Sequence, residues 1–262
     1  MYNVSISTNK LTIGYEPTSG SSLKGREVVV QADLTFSLHE GEMVCMLGPN
    51  GCGKSTLLRT LAGLQPALGG EIQPNPDPSV KGREASKQMA LVLTERLSMD
   101  NTTVHDVVAM GRYPYTSFLG GLTDEDETII EEALKAVGFP VTDNPSPITL
   151  SPFNAHSAGE KQRILIAKAL AQQTPIILLD ESTAHLDLPH RILVLRLLRQ
   201  LAHEQGKTIL ISTHELDLAL ALSDRILLMS PGKGIQLDTA ENLKKADAFT
   251  SAFGMDIFSP LG

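Results

Sequence analysis

The chain has 262 residues, long for one compact domain and short for two large ones, so a core carrying an inserted subdomain fits best. Apolar residues at 42% and charged residues at 20% exclude wholesale disorder, and 4% aromatics without Trp argue against stacking on single-stranded nucleic acid. Twenty-two basic and 30 acidic residues leave a net charge of −8, which argues against binding a phosphate backbone, so no nucleic-acid partner is expected.

Two cysteines, Cys45 and Cys52, stand seven positions apart, which makes a disulfide framework a poor reading and a reducing compartment the natural one. The first ten residues lack a basic region followed by an apolar one, so no secretory signal is read. No apolar run approaches the length of a membrane span either.

In chain order, residues 4–13 and 28–38 alternate apolar and polar side chains as half-buried strands do, with a polar turn at 20–25. Met43–Leu47 is a short apolar run ending in glycines, which predicts a buried strand. Residues 55–64 have helical spacing, with Leu57, Leu58, Leu61 and Leu64 on one face and Pro66 as the stop. Residues 69–83 read as strand ends joined by loops, and 89–93 as a strand. A helical pattern runs from 103 to 138, where the acidic run 124–132 reads as a solvated first turn suited to the positive end of a helix dipole. Pro145, Pro147 and Pro152 predict an irregular loop over 141–154. Then follow a helix at 161–172, a strand at Ile176–Leu179, a helix at 190–204, a strand at Thr208–Ser212, a helix at Leu216–Leu222 and a strand at 225–229. Strands alternating with helices predict a largely parallel sheet covered by helices.

Gly48-Pro49-Asn50-Gly51-Cys52-Gly53-Lys54-Ser55, followed by Thr56, has the P-loop spacing in a strand–loop–helix context. The glycines let backbone N–H groups approach phosphate oxygens, and the helix start adds unpaired donors. Lys54 brings a point charge to the terminal phosphates, and the Ser55 hydroxyl suits Mg²⁺. A second element is Ile176–Leu179 followed by Asp180 and Glu181, which sets two carboxylates at the C-terminal end of a buried strand. Asp180 is placed to hold Mg²⁺ through water and Glu181 to polarise an attacking water.

The order of these motifs resembles the nucleotide-binding subunit of ABC transporters over nearly the whole chain. That resemblance implies an α/β fold: a P-loop core with a mainly parallel sheet, an N-terminal antiparallel β portion and an inserted helical subdomain. The expected division is 1–94 and 161–262 for the ATP-binding core and 95–160 for the insert. Residues 182–187, Ser-Thr-Ala-His-Leu-Asp, resemble the D-loop, with Asp187 facing a partner subunit. His214 resembles the switch histidine that contacts the γ-phosphate, and Tyr15 the aromatic that stacks on adenine. Residues 156–163, His-Ser-Ala-Gly-Glu-Lys-Gln-Arg, are similar to the signature, where Ser157 and Gly159 cap the γ-phosphate of the opposite subunit. There His156, Ala158 and Glu160 depart from Leu, Gly and Gln, and Glu160 either sets a negative charge near phosphate or caps the helix pointing away. At the Q-loop, Thr94 stands where the family has Gln, with Glu95 beside it, so one of these two is the expected further contact to Mg²⁺.

Gly111-Arg112-Tyr113-Pro114 before an acidic helix start, and residues 186–190, resemble the ATPases of iron–siderophore, haem and vitamin B12 importers. Tyr113, Tyr115 and Phe118 suit either a permease-docking patch or a subdomain core. The resemblance implies Mg²⁺-dependent ATP hydrolysis by Glu181, His214 and Lys54 in a head-to-tail pair of identical chains sandwiching ATP. It also implies membrane permease subunits at the cytoplasmic face and, through them, an extracytoplasmic binding protein. Two rival readings stay open: a non-transport ABC ATPase, and an ATP-gated module with little turnover.

Overall fold

Two kinds of strand build two sheets. The computed structural model describes residues 3–16, 27–73, 83–93, 99–116, 121–141, 147–256 and 258. The alternating strands β1 (Val4–Tyr15) and β2 (Val28–His39) pair antiparallel, and β4 (Gly69–Gln73) adds to the free edge of β1, giving the order β2-β1-β4. The all-apolar strands are β3 (Met43–Leu47), β6 (Ile176–Leu179) and β7 (Thr208–Ser212), the last flanked by polar ends, and every residue of all three is buried. With β5 (Met89–Val92), β8 (Arg225–Ser230) and β9 (Gly234–Asp238) they form a six-stranded sheet in the order β5-β6-β7-β3-β8-β9. It is parallel except for β9, which folds back on β8 as a hairpin.

Successive side chains of a strand point to opposite faces, and β3 divides accordingly. Val44 and Met46 face one core, together with Ile13 and Leu34 of the antiparallel sheet and Leu57, Leu58 and Leu61 of helix α1 (Lys54–Leu61). Met43, Cys45 and Leu47 face the other, which holds the remaining helices. Helix α1 is thus clamped between the two sheets.

After the short α2 (Arg83–Ser86), the chain forms α3 (Val104–Ala109), a 3-10 turn at Met110–Arg112, and α4 (Asp124–Ala136). Next come α5 (Pro147–Leu150), a second 3-10 turn at Phe153–Ala155, and α6 (Ala158–Ala171). The first turns of α3, α4 and α6 are closed by capping boxes, Thr103/Asp106, Thr123/Asp126 and Ser157/Glu160. Helix α6 packs on α3 and α4 and also touches β5, so it joins the helical part to the sheet. Helices α7 (Leu188–Gln205) and α8 (Leu216–Leu222) flank β7, and α9 (Ala240–Lys245) and α10 (Ala248–Phe253) follow β9. No helix among the described residues is long and apolar enough to cross a membrane.

Three sequence expectations need correction. Helix α1 stops at Leu61 rather than reaching Leu64, because Gly63 takes a left-handed φ of 69°. Leu64 N then bonds Arg59 O at 2.9 Å and Gly63 N bonds Thr60 O at 3.1 Å, which ends the helix before Pro66 acts. Within the expected loop 141–154, Pro147 opens a helical turn, since the first helical position needs no N–H. The hairpin strand β9 and helices α9 and α10 have no counterpart in the sequence reading. The turn expected at 20–25 lies outside the described residues.

Candidate active site

Strand β7 lies between β3 and β6, so the C-terminal ends of these three strands meet at one edge of the sheet. This is where open α/β sheets place their ligands. The P-loop leaves β3 there. Gly53, at the start of α1, has φ 105°, and a Cβ on it would come within 2.8 Å of Val30 Cγ1, so only glycine fits. A Cβ on Gly48 would come within 2.6 Å of Met229 O. No side chain caps α1, which leaves its first backbone donors for an anion.

The Lys54 ammonium folds back over the loop, donating to Gly48 O at 2.9 Å and Pro49 O at 3.2 Å. Asn50, Gly51 and Ser55 are exposed, Pro49 is half-buried, and Cys52 is buried. Burial pushes the Cys52 thiol up from its ordinary pKa, against the opposing pull of the Lys54 charge. Thr56 is buried, with its hydroxyl 3.1 Å from the Tyr15 hydroxyl. That contact tethers Tyr15 beside the loop while half of its surface (50%) stays exposed.

Gln31 from β2 is a site residue that sequence reading missed. Its buried amide donates to Cys52 O at 3.2 Å and to Ser230 O at 2.9 Å, strapping the P-loop to the end of β8. Its position in an alternating strand looks like any half-buried polar residue, and no local signal marks it.

At the end of β6, Asp180 is 3% exposed. The Ser212 hydroxyl donates to Asp180 Oδ1 at 2.7 Å and accepts from Glu181 N at 2.8 Å, so one β7 side chain orients both acidic positions. Glu181 has a left-handed φ of 44°, a conformation uncommon for a side-chain-bearing residue and typical of functional sites. Its Oε1 lies 2.6 Å from His214 Nε2. The strand end carrying His214 is fixed to β3 by a 3.2 Å bond from Thr213 N to Met46 O.

Ser157 sits at the N-terminus of α6, and Glu160 closes a capping box on it. Its carboxylate accepts from Ser157 N at 2.9 Å and from Ser157 Oγ at 2.8 Å. Of the two expectations for Glu160, the cap is the one observed. The Ser157 N–H and hydroxyl together hold the Glu160 carboxyl below its ordinary pKa, with smaller help from His156 and Arg163. His156 lies edge-on to Phe139, with centroids 6.5 Å apart, and its Nε2 is 2.7 Å from Ser151 Oγ. Gly159 faces the next turn: a Cβ there would come within 3.0 Å of His185 O. Asp187 caps α7 by accepting from His190 N at 3.3 Å, and contact with the His190 ring holds its carboxyl low. Among the described residues, Ser157 and Gly159 make no bond to the P-loop. Thr94, Glu95 and Phe118 lie outside the described residues.

A surface groove of about 720 Å³ runs between α2, the 3-10 turn at Met110–Arg112 with the residues after it, and the end of α6, lined by Arg83, Met110, Tyr113, Lys168 and Gln172 among others. Tyr113 is 56% exposed there. The Arg112 guanidinium lies 4.2 Å from the centroid of the Tyr115 ring, and Tyr115 donates to Gln172 O at 2.9 Å, so Tyr115 packs, whereas Tyr113 lines the groove.

An oxygen-only donor set suits a hard cation. The buried Asp180 carboxylate and the exposed Ser55 at the start of α1 are the residues that would hold Mg²⁺. A glycine cradle on one strand end, carboxylates on another and a histidine on the strand between define a P-loop nucleoside triphosphatase with a helical insert. The sequence profile of the ABC transporter family matches residues 31–184.

An uncharacterised ABC transporter ATP-binding protein of Methanocaldococcus jannaschii is 37% identical over 252 residues, covering 95% of this chain and 81% of that one. The iron(3+)-hydroxamate import ATP-binding protein of Bacillus subtilis is 36% identical, covering 96% and 88%. The ferric enterobactin transport ATP-binding protein of Escherichia coli is 32% identical, covering 94% and 86%. Among solved structures, a chain of an inward-facing transporter described as metal-chelate type superposes with a TM-score of 0.76 at 28% identity, covering 96% and 90%. A dimeric bacterial ABC cassette shares the fold, with a TM-score of 0.75 at 24% identity, covering 89% and 98%. The chain belongs to the ABC transporter family, as an ATP-binding subunit that hydrolyses ATP.

Proposed function

We propose that this chain powers an importer of metal chelates of the iron–siderophore, haem or vitamin B12 class, working as a head-to-tail pair of identical chains on the cytoplasmic face of a membrane permease. The observation that carries the catalytic part is the Glu181–His214 contact of 2.6 Å at the sheet edge that also holds the P-loop. Bound phosphates replace Gly48 O and Pro49 O as acceptors for Lys54, beside the uncapped start of α1. Tyr15 offers its exposed ring to the adenine. Glu181 orients a water for in-line attack on the γ-phosphorus, the bond to the β-phosphate oxygen breaks, and His214 fixes the carboxylate that holds the water. Ser55 and, through water, Asp180 would hold Mg²⁺, which would supply positive charge to the phosphate oxygens. Thr94 or Glu95 would add a contact to it.

Ser157 and Gly159 close over the partner's γ-phosphate, with Glu160 turned back into the cap. The groove at Tyr113 supports docking of a permease helix, and an extracytoplasmic binding protein would deliver cargo to that permease. The cargo class rests on similarity along nearly the full chain to subunits named for iron–hydroxamate and enterobactin uptake. The core at 1–94 and 161–262 would bind nucleotide, and the insert at 95–160 would carry the permease contact.

Hydrolysis measured against protein concentration tests the composite site. It is expected to rise faster than linearly and to vanish in Glu181→Gln, and strictly linear hydrolysis would count against the pair. Copurification with a permease of the chelate-importer type tests the transport part, and association with a non-transport assembly alone would overturn it.

A further inference from the structure

The turn after Glu181 and the turn after β7 are joined by a second connection besides His214. Arg191, in the first turns of α7, donates from Nη2 to Leu186 O at 2.7 Å, and its Nη1 pairs with Glu215 Oε1. Glu215 directly follows His214, and its N–H bonds Thr213 Oγ1 at 3.0 Å. On the other side, Ala184 N bonds Glu181 O at 3.0 Å and Leu186 N bonds Thr183 O at 3.1 Å. These contacts close a ring: Glu181, the 182–186 turn, Arg191, Glu215, His214, and back to Glu181. The ring touches the signature as well, because His185 O is the atom that a side chain on Gly159 would strike.

The Arg191 side chain is 16% exposed, and its Nε is buried without a hydrogen-bond partner among the described residues. Helix packing alone gives no reason to keep such an orphaned donor, since buried polar groups are normally satisfied. A planar guanidinium, however, can hold a carbonyl and a carboxylate at once in fixed geometry. Without it, the Glu215 carboxylate is left free to compete with Glu181 for the imidazole N–H of the adjacent His214.

We infer that Arg191 and Glu215 are positioning residues that hold His214 on Glu181 and tie that pair to the 185–187 turn. Docking of a second copy against this turn and against Gly159 is thereby felt at the chain's own hydrolytic pair. The inference rests on the catalytic roles proposed for Glu181 and His214.

The test is steady-state ATP hydrolysis by Arg191→Ala, Arg191→Lys, Glu215→Gln and the Arg191→Ala/Glu215→Gln double variant, with Glu181→Gln alongside. Arg191→Ala and Glu215→Gln are each expected to lose about tenfold in kcat while KM for ATP moves less than about threefold. The double variant should be no worse than the worse single one, as members of one contact unit behave. Arg191→Lys should fall between, because an ammonium cannot hold both acceptors in the same geometry. Glu215 is 40% exposed, so Glu215→Gln reads the effect in a chain that folds even if Arg191→Ala does not. An unchanged kcat in Glu215→Gln beside an inactive Glu181→Gln overturns this inference alone, as do additive losses. Full hydrolysis in Glu181→Gln removes the catalytic assignment, and the coupling with it.

Discussion

Arg112 Nε donates to Asp126 Oδ1 over 2.7 Å, with only 6% and 8% of the two side chains exposed. The same guanidinium donates to Ala171 O at 2.8 Å and Gln173 Oε1 at 2.9 Å, so it binds the start of α4 to the end of α6. Asp126→Asn leaves a buried cation without its counter-charge and is expected to cost about 3–5 kcal/mol in denaturant unfolding. Burial alone would raise the Asp126 pKa, but donors from Thr123 and Arg112 outweigh it, and the carboxyl is held below its ordinary value. The sign follows: a depressed carboxyl contributes stability above its unfolded pKa of about 4, and that stability is lost as pH falls through the lower folded value. Unfolding free energy below about pH 4 should therefore fall less steeply for Asp126→Asn than for the parent chain. Equal slopes would show that another carboxylate carries the acid sensitivity.

The acidic run that contains Asp126 shows where sequence reading stops. Its charge pattern correctly places a helix start, but the third helical position of a capping box is turned inward here and meets an arginine 14 residues upstream. The P-loop, Asp180 and Glu181 were legible because their spacing is local and their strands are continuous apolar runs buried on both faces. Gln31, Ser212 and Arg191 are not, since their roles come from partners 199, 32 and 24 positions away, reached only once the sheet order is set.

Gln31 illustrates such a long-range role. Replacing Gln31 by Leu removes both hydrogen bonds, leaving Cys52 O without this donor and Ser230 O with Lys233 N alone at 3.1 Å, an expected loss of about 1–3 kcal/mol in stability. Because the strap holds the cradle rather than the reacting atoms, ATP affinity by calorimetric titration should fall while kcat at saturation stays near the parent value. A drop in kcat at unchanged affinity would place Gln31 in the hydrolytic step instead.

Glu160 separates a capping role from a charge effect. Gln preserves the reciprocal cap on Ser157, so Glu160→Gln should hydrolyse ATP within about twofold of the parent, whereas Glu160→Ala should lose about 1 kcal/mol of stability. A rate increase of tenfold or more in Glu160→Gln would mean that the carboxylate repels the partner's phosphate after all.

Ser212 is the side chain on which both acidic positions converge, donating to Asp180 and accepting from Glu181 N. Removing the hydroxyl frees the Asp180 carboxylate to rotate away from the proposed Mg²⁺ position and takes away the acceptor of the Glu181 N–H. Ser212→Ala is expected to lower hydrolysis by about 10–100-fold and to raise the Mg²⁺ concentration needed for half-maximal rate, as loss of a ligand-orienting partner does elsewhere. Ser212→Thr keeps the hydroxyl and should recover most of both, provided the buried site admits the extra methyl. A Mg²⁺ titration of the three proteins decides the point. If Ser212→Ala lowers the rate without moving the Mg²⁺ dependence, the hydroxyl serves the Glu181 backbone and not the Asp180 carboxylate.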